Sequence, residues 1–257
     1  MQLIDIILLA IVEGVTEFLP ISSTAHLVLV SNALNIKQTE FVKTFEIVIQ
    51  LGAMAPVIIF YGKKFLIDRM AMRNIIIAFM PAAIIGGLLY SFIKEVLIGN
   101  TYVSLAALLF GGLFLIVFEK FYRSPLRVVV TRIESLSVRQ ALAIGLFQSA
   151  AIIPGVSRAG ASIIGGMLGG LSRKTAVEFS FLLAVPTMAA ASGLDLFATR
   201  GVFTIEEYGM LALGFILSAI VAYGAVRWLL RFVSHHDLTV FGIYRIIFSV
   251  GYLLFMN

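Results

Sequence analysis

Apolar residues run along this chain in blocks long enough to cross a bilayer, and short basic segments separate them. A helix needs about 20 apolar residues to cross the hydrocarbon core. Six blocks read as ordinary spans, near 45–61, 74–93, 101–118, 177–198, 207–226 and 240–256. Two further apolar regions, 3–34 and 138–170, read differently. Pro and small polar residues break each near its middle, as LPISSTAH and IPGVSRAGAS. Irregular backbone survives at membrane depth only where protein or a watery cavity satisfies it. The pattern therefore predicts an all-α polytopic membrane protein of six transmembrane helices plus two re-entrant helical hairpins, each hairpin going down and back on one side.

Basic residues orient this arrangement. Lys63, Lys64, Arg69 and Arg73 follow the first span, and Lys120, Arg123, Arg127, Arg132 and Arg139 follow the third. Arg173 and Lys174 follow the second hairpin, and Arg227 and Arg231 the fifth span. The opposite-side segments carry only Lys37, Lys43, Lys94 and Arg200. If spans alternate, the basic clusters share one side, which is then cytoplasmic. The first hairpin enters from the outer side, where the C-terminus also lies, and the second from inside. The two halves, about 1–118 and 135–257, each hold one hairpin and three spans. A shift of 134 aligns Pro20 with Pro154, Ser23 with Ser157 and Phe45 with Phe179. Three spans is an odd number, so the second copy must be inverted, forming one membrane domain with an inverted-topology repeat. Such repeats converge on a polar site near the midplane.

Composition agrees: 60% of the 257 residues are hydrophobic and 13% charged, against about 25% charged in soluble domains. The first 20 residues lack a basic start, and Glu13 and Glu17 interrupt them, so they do not read as a cleavable signal. With no cysteine, disulfides and thiolate metal sites are excluded. The net charge of +5 is accounted for by loops facing the cytoplasm and does not point to nucleic acid.

The chemistry sits in the two breaks. Glu13 and Glu17 are four apart and share a helix face. Two carboxylates this close in lipid need a proton or a cation, and Mg²⁺ or Ca²⁺ would suit both. The plainer alternative puts one in interfacial water and the other at a loop cap. Ser22 and Ser23 open the returning helix, where hydroxyls commonly cap. His26 lies three and four residues on, within reach of either hydroxyl along one face, so it could serve as base or acid, or simply pack. In the second break, Gly155 and Gly160 permit a sharp turn and close approach to a ligand. Arg158 adds a planar fork suited to phosphate oxygens, with Ser157 and Ser162 as further donors. GGMLGG at 165–170 reads as close helix packing. Gln148 is a weaker candidate. Glu46, Glu178, Asp195 and Arg245 stay open between site support and interfacial pairing, while His235 and His236 read as solvated beside Asp237. One hairpin thus offers negative charge, a nucleophile and a base. The other offers positive charge and anion-binding backbone. Together they fit a metal-assisted site for a phosphate ester or anhydride on a lipid.

EGVTEFLPISSTAH at 13–26, PGVSRAGAS at 154–162 and FEIVIQLGA at 45–53 resemble, in that arrangement and over essentially the whole chain, the bacterial undecaprenyl-diphosphate phosphatases of the bacitracin-resistance family. The resemblance implies hydrolysis of undecaprenyl diphosphate to undecaprenyl phosphate and inorganic phosphate. That reaction recycles the lipid carrier of peptidoglycan in the bacterial inner membrane and requires a divalent cation. It maps the acidic motif onto Glu13 and Glu17, the motif serine onto Ser23, the histidine onto His26, and the second motif onto Ser157, Arg158 and Ser162. The sequence departs from the pattern at Ala25 where Gly is usual, Ala159 where Ser is usual, and Ser162 where Thr is usual. The assignment that follows is catalytic Glu17, Ser23, His26 and Arg158; phosphate binding by Ser22, Gly155, Ser157, Arg158 and Ser162; and metal binding by Glu13 and Glu17. The nucleophile is either Ser23 or a metal-activated water. The partners expected are a polyprenyl diphosphate lipid and the bilayer, without nucleic acid, and with a homodimer left open. A secondary transporter or flippase of an anionic lipid shares the same architecture. A non-catalytic lipid-binding protein would leave Ser23 and His26 unexplained.

Overall fold

The computed structural model describes residues 1–89, 92, 97, 100–122, 130–198 and 203–255. Lys94, Arg123, Arg127, Arg200 and Asn257, and the side chains of Lys63, Lys64 and Asp195, lie outside the described residues. Among these residues the chain is helical, with one isolated bridge between Val130 and Leu171 in place of any strand. Its helices are α1 (Leu3–Thr16), α2 (Ser23–Ala33), α3 (Glu40–Ala53), α4 (Ala55–Ile67), α5 (Arg69–Leu88) and α6 (Thr101–Phe121) in the first half. The second half has α7 (Val138–Ser149), α8 (Arg158–Leu168), α9 (Arg173–Ala198), α10 (Ile205–Phe232) and α11 (Thr239–Phe255).

Among the described residues, five helical stretches are long and apolar enough to cross a membrane: Glu40–Gly62, Arg69–Leu88, Thr101–Phe121, Arg173–Gly193 and Ile205–Phe232. The sixth expected span is the apolar α11, which has 17 residues. Large apolar side chains point outward along these helices, among them Ile59, Leu88, Phe110, Ile220 and Leu254. Water would penalise such a surface and lipid would not, so the chain is a multi-pass membrane protein.

Local chemistry explains where the helices differ from the hydrophobic pattern. The first span begins at Glu40 because the Thr39 side chain caps the Val42 N–H, and it breaks at Met54. Pro56 lies just beyond that break and has no N–H to give to the carbonyl of Gly52. Asp68 accepts from the Met70 and Ala71 amides, which starts α5 before the expected residue 74. Thr204 and Glu207 form a reciprocal capping box that starts α10, and that helix continues to Phe232, past the expected 226.

The arms of the two broken regions are short. Helices α1, α2, α7 and α8 have 14, 11, 12 and 11 residues, and none reaches the length of a span. Each leading arm packs chiefly on the other half's long helix, α1 on α10 and α7 on α5. The α1 contact is backbone-close, since a Cβ on Gly14 would lie 2.7 Å from the Ser218 carbonyl. The expected packing of GGMLGG holds for its first pair, where Cβ atoms on Gly165 and Gly166 would meet Phe147 and Ala176, but not for Gly170, which has open space around it and ends the helix at φ 88°.

Helix ends sort into two groups. Asn32 bonds Thr101, joining the end of α2 to the start of α6, Ser31 bonds Glu46 of α3, and Phe41 at the start of α3 packs edge-on against Phe203 just before α10. Arg173 pairs with both oxygens of Glu119, and Glu119 also accepts from the Leu238 amide. Asn74 bonds the Ile133 and Leu136 carbonyls, and Tyr122 bonds that of Met167. These bonds gather the ends of α6 and α8 with the starts of α9 and α11 and the segment before α7. Between the two groups lies the buried core, where Phe18 of the first break meets Phe181 of α9 edge-on, centroids 4.9 Å apart.

Candidate active site

Both breaks resume helix through a serine in a glycine-like conformation. Ser22 has φ 68° and Ser157 φ 75°, and each immediately precedes an 11-residue helix. A non-glycine residue at positive φ costs on the order of 1–3 kcal/mol, and such strain gathers at functional sites. Their shared conformation pairs Ser22 with Ser157 at an offset of 135, one more than the 134 that pairs Pro20 with Pro154. Ser23 therefore stands opposite Arg158 rather than opposite Ser157. Ser157 caps its helix, accepting from the Gly160 amide at 3.1 Å, while Ser22 makes no side-chain cap. Gly155 takes φ 98°, so the sharp turn expected of it holds, and a Cβ there would lie 2.6 Å from the Ser104 carbonyl, so the backbone it brings close is that of α6. Gly160, by contrast, sits inside the first turn of α8 and makes no bend.

Ser23 and Arg158 converge on Glu17, the residue that ends α1. The Ser23 hydroxyl donates to Oε2 of Glu17 at 2.5 Å, and Nη2 of Arg158 donates to Oε1 at 3.1 Å. Nη1 of Arg158 donates to the Ser180 carbonyl at 3.0 Å. All three side chains are at most 9% exposed. Beside them opens a cavity lined by Glu17, Ser22 and Ser23 from one break and Pro154, Gly155, Ser157 and Arg158 from the other. Thr24, Gln50, Ala151, Ile153 and Met188 complete its wall.

Two groups at this centre lack partners. Nε of Arg158 is a buried donor with no acceptor, and both oxygens of Glu13 are buried with no donor other than a proton shared with the neighbouring Glu17 carboxylate. Glu13 is fully buried and feels the charges of Glu17, Glu46 and Arg158. Such groups are costly to leave unmet in the folded state. One invites an anion and the other a cation or a proton. No group of three metal-ligating side chains occurs among the described residues. Glu13 and Glu17 supply hard anionic oxygens of the kind Mg²⁺ or Ca²⁺ takes, and waters and phosphate oxygens can complete such a shell.

Four expected site residues stand off the cavity lining, Glu13 among them, buried one helical turn before Glu17. His26 and the Ser23 hydroxyl are not brought together. Nδ1 of His26 lies 2.8 Å from the Ser22 carbonyl, which requires its proton there, so Nε2 accepts from the Tyr244 hydroxyl at 2.9 Å. The ring also stacks on Phe248 at 4.4 Å. Ser162 turns away from the cavity. Its hydroxyl bonds the Arg158 carbonyl at 2.8 Å and the Ser180 hydroxyl at 2.7 Å, a brace between α8 and α9. Gln148 bonds Thr187 at 3.3 Å outside the cavity lining. Glu46 accepts from Ser31 and Gln38, and His235 and His236 are exposed as expected. Gln50, Tyr244, Phe248 and Ser180 were not singled out in the sequence. Gln50 alone carried a local signal, as a polar residue inside FEIVIQLGA.

The placement of His26 yields a first prediction. Replacing His26 with Asn should slow turnover by less than about 100-fold, the lower end of what a positioned acid or base contributes. A pH–rate profile checks this: its shape should match that of the unmodified protein. Loss of one limb would restore a proton-transfer role to the imidazole.

Residues 6–251 match the family model described as bacitracin resistance protein BacA. An undecaprenyl-diphosphatase of Sulfurihydrogenibium sp. (strain YO3AOP1) is 48% identical over 254 residues, 99% of each chain. That of Aquifex aeolicus (strain VF5) is 48% identical over 249 residues, covering 97% of this chain and 96% of the relative. That of Wolinella succinogenes is 42% identical over 257 residues, all of this chain and 99% of the relative. With nearly every residue of the two breaks and the surrounding helices inside the matched region, the chain belongs to the bacitracin resistance protein BacA family.

Proposed function

We propose that this protein is a membrane-embedded phosphatase that hydrolyses undecaprenyl diphosphate to undecaprenyl phosphate and inorganic phosphate. The observation that carries this reading is the convergence of Ser23, Glu17 and Arg158 from two separate breaks beside one polar-lined cavity. The terminal phosphate fits between the unpaired Nε of Arg158 and the Ser22 and Ser157 edge. The Ser23 oxygen attacks the terminal phosphorus while its proton passes to Glu17. The anhydride P–O bond breaks, and undecaprenyl phosphate leaves. Water then attacks the phosphoserine and its proton departs with the phosphate, as Glu17 returns a proton to the Ser23 oxygen. Arg158 faces the charge that develops at phosphorus. A divalent cation held by Glu13 and Glu17 would neutralise diphosphate charge. Orthophosphate release from undecaprenyl diphosphate by the purified protein tests the reading. Passage of the lipid across vesicles without phosphate release would replace it with a carrier.

The cation assignment carries its own prediction. Chelation should abolish turnover, and Glu13→Gln should raise the cation concentration for half-maximal rate by about tenfold, one charged ligand's share. Unchanged cation dependence in Glu13→Gln would move the ion elsewhere.

The same reading extends to topology: six spans and two re-entrant hairpins related by inversion, with the site near the midplane of the bacterial inner membrane. The crossed packing of α1 on α10 and α7 on α5, and the matched serine turns, support it. Arg173, Lys120, Arg132 and Arg139 belong to one group of helix ends, which makes that group cytoplasmic. The chain has no cysteine, so single ones can be placed cleanly at the exposed Lys37 and His235. An impermeant thiol reagent should reach the first only from outside and the second only from inside. Labelling of both from one side contradicts the topology.

A further inference from the structure

Arg245 is the bulkiest of the fully buried side chains, 1% exposed in the middle of α11. A charge at such depth in a membrane protein marks function by default. A guanidinium has five N–H donors, and every one is used. Nε donates to Leu108 O at 3.2 Å, Nη1 to Pro20 O at 3.2 Å and Val156 O at 3.1 Å, and Nη2 to Ala107 O at 2.8 Å and Gly155 O at 2.7 Å. All five acceptors are main-chain carbonyls. Two belong to α6, and the other three belong to the two breaks. One side chain thus ties the first break to the second. Pro20 lies three residues before Ser23, and Gly155 three residues before Arg158. Gly111 makes the room, since a Cβ there would overlap the Arg245 guanidinium.

We infer that Arg245 is a positioning residue for the phosphatase reaction proposed above: it fixes the distance between Ser23 and Arg158 by clamping both breaks to α6. The inference rests on that proposed function for its kinetic consequence alone. Lysine is a poor substitute, because an ammonium has three donors and no planar fork.

Two variants test the clamp in the full-length protein. Arg245→Lys keeps the charge and loses the five-point grip. Gly111→Ala keeps Arg245 and displaces its guanidinium. Each should fold, elute as the unmodified protein does, and lose about 30-fold or more in kcat with KM changed less than about threefold, the signature of an interaction realised in the transition state. Hydrogen exchange reads the clamp independently of catalysis. Amides of residues 17–19, 21–22, 153 and 155–157 should exchange about tenfold faster in both variants, with α9 and α10 unchanged. Exchange altered as expected with wild-type kcat would overturn the kinetic role. Unchanged exchange in both breaks, or failure of both variants to fold, would overturn the clamp and leave Arg245 a folding residue. If the unmodified protein releases no phosphate, the phosphatase reading falls while the exchange result still decides the clamp.

Discussion

Ser23→Ala should reduce phosphate release to the level left by binding and charge alone, a loss of about 10⁴-fold or more, comparable to removing the nucleophile from a catalytic triad. The size follows from placement. Ser23 is the first residue of α2, so its side chain leans back toward the break. There its hydroxyl meets Glu17 at 2.5 Å, and Glu17 takes the proton as the oxygen attacks. Alanine removes the attacking atom and leaves the buried carboxylate with Arg158. Stability should fall by about 1–3 kcal/mol, since Oε2 of the buried Glu17 loses its donor. Single-turnover phosphate release, with purified variant in excess over lipid substrate, checks the prediction. A rate within tenfold of the unmodified protein would make water the attacker.

Arg158→Ala should cost about 10³-fold in kcat/KM, the upper range for loss of one oxyanion donor. Folding is also affected, because the substitution strands a buried Glu17 carboxylate at a cost of about 3–5 kcal/mol. Arg158→Lys separates the two effects. It keeps a charge near Glu17, and so the fold, but cannot hold Glu17, the Ser180 carbonyl and a phosphate oxygen together. Its thermal midpoint should stay close to that of the unmodified protein, and its kcat/KM should recover only partly. Full activity in the lysine variant would remove the fork from the mechanism while leaving a charge contact intact.

The charged members of this site were legible in the sequence because lipid makes charge expensive. Glu17 and Arg158 stand out in a chain with so few charges, and Pro20 and Pro154 mark the breaks that carry them. The helical blocks were legible for the same reason. What the sequence hid was direction and distance. Spacing along α2 puts His26 one turn from Ser23, but Ser23 begins the helix and points back to Glu17, while the imidazole reaches the Ser22 carbonyl. Tyr244, which claims the other ring nitrogen, is 218 residues away and leaves no local trace. Ser162 looked like a donor for phosphate. In mid-helix, however, a serine hydroxyl readily turns to the carbonyl four residues back, and here it does. The positive φ of Ser22 and Ser157 follows no local propensity. It pairs Ser22 with Ser157, one residue off the pairing of Pro20 with Pro154. Pro56, in contrast, was visible, and the break at Met54 could have been read from it.

The stereochemical course at phosphorus tests the central claim most directly. Undecaprenyl diphosphate carrying an isotopically chiral terminal phosphorothioate would be hydrolysed by the purified protein in labelled water, and the configuration of the released thiophosphate determined. Attack by Ser23 followed by attack of water inverts phosphorus twice, so this account predicts net retention. Net inversion would mean a single displacement by water and would contradict a phosphoserine formed between Glu17 and Arg158.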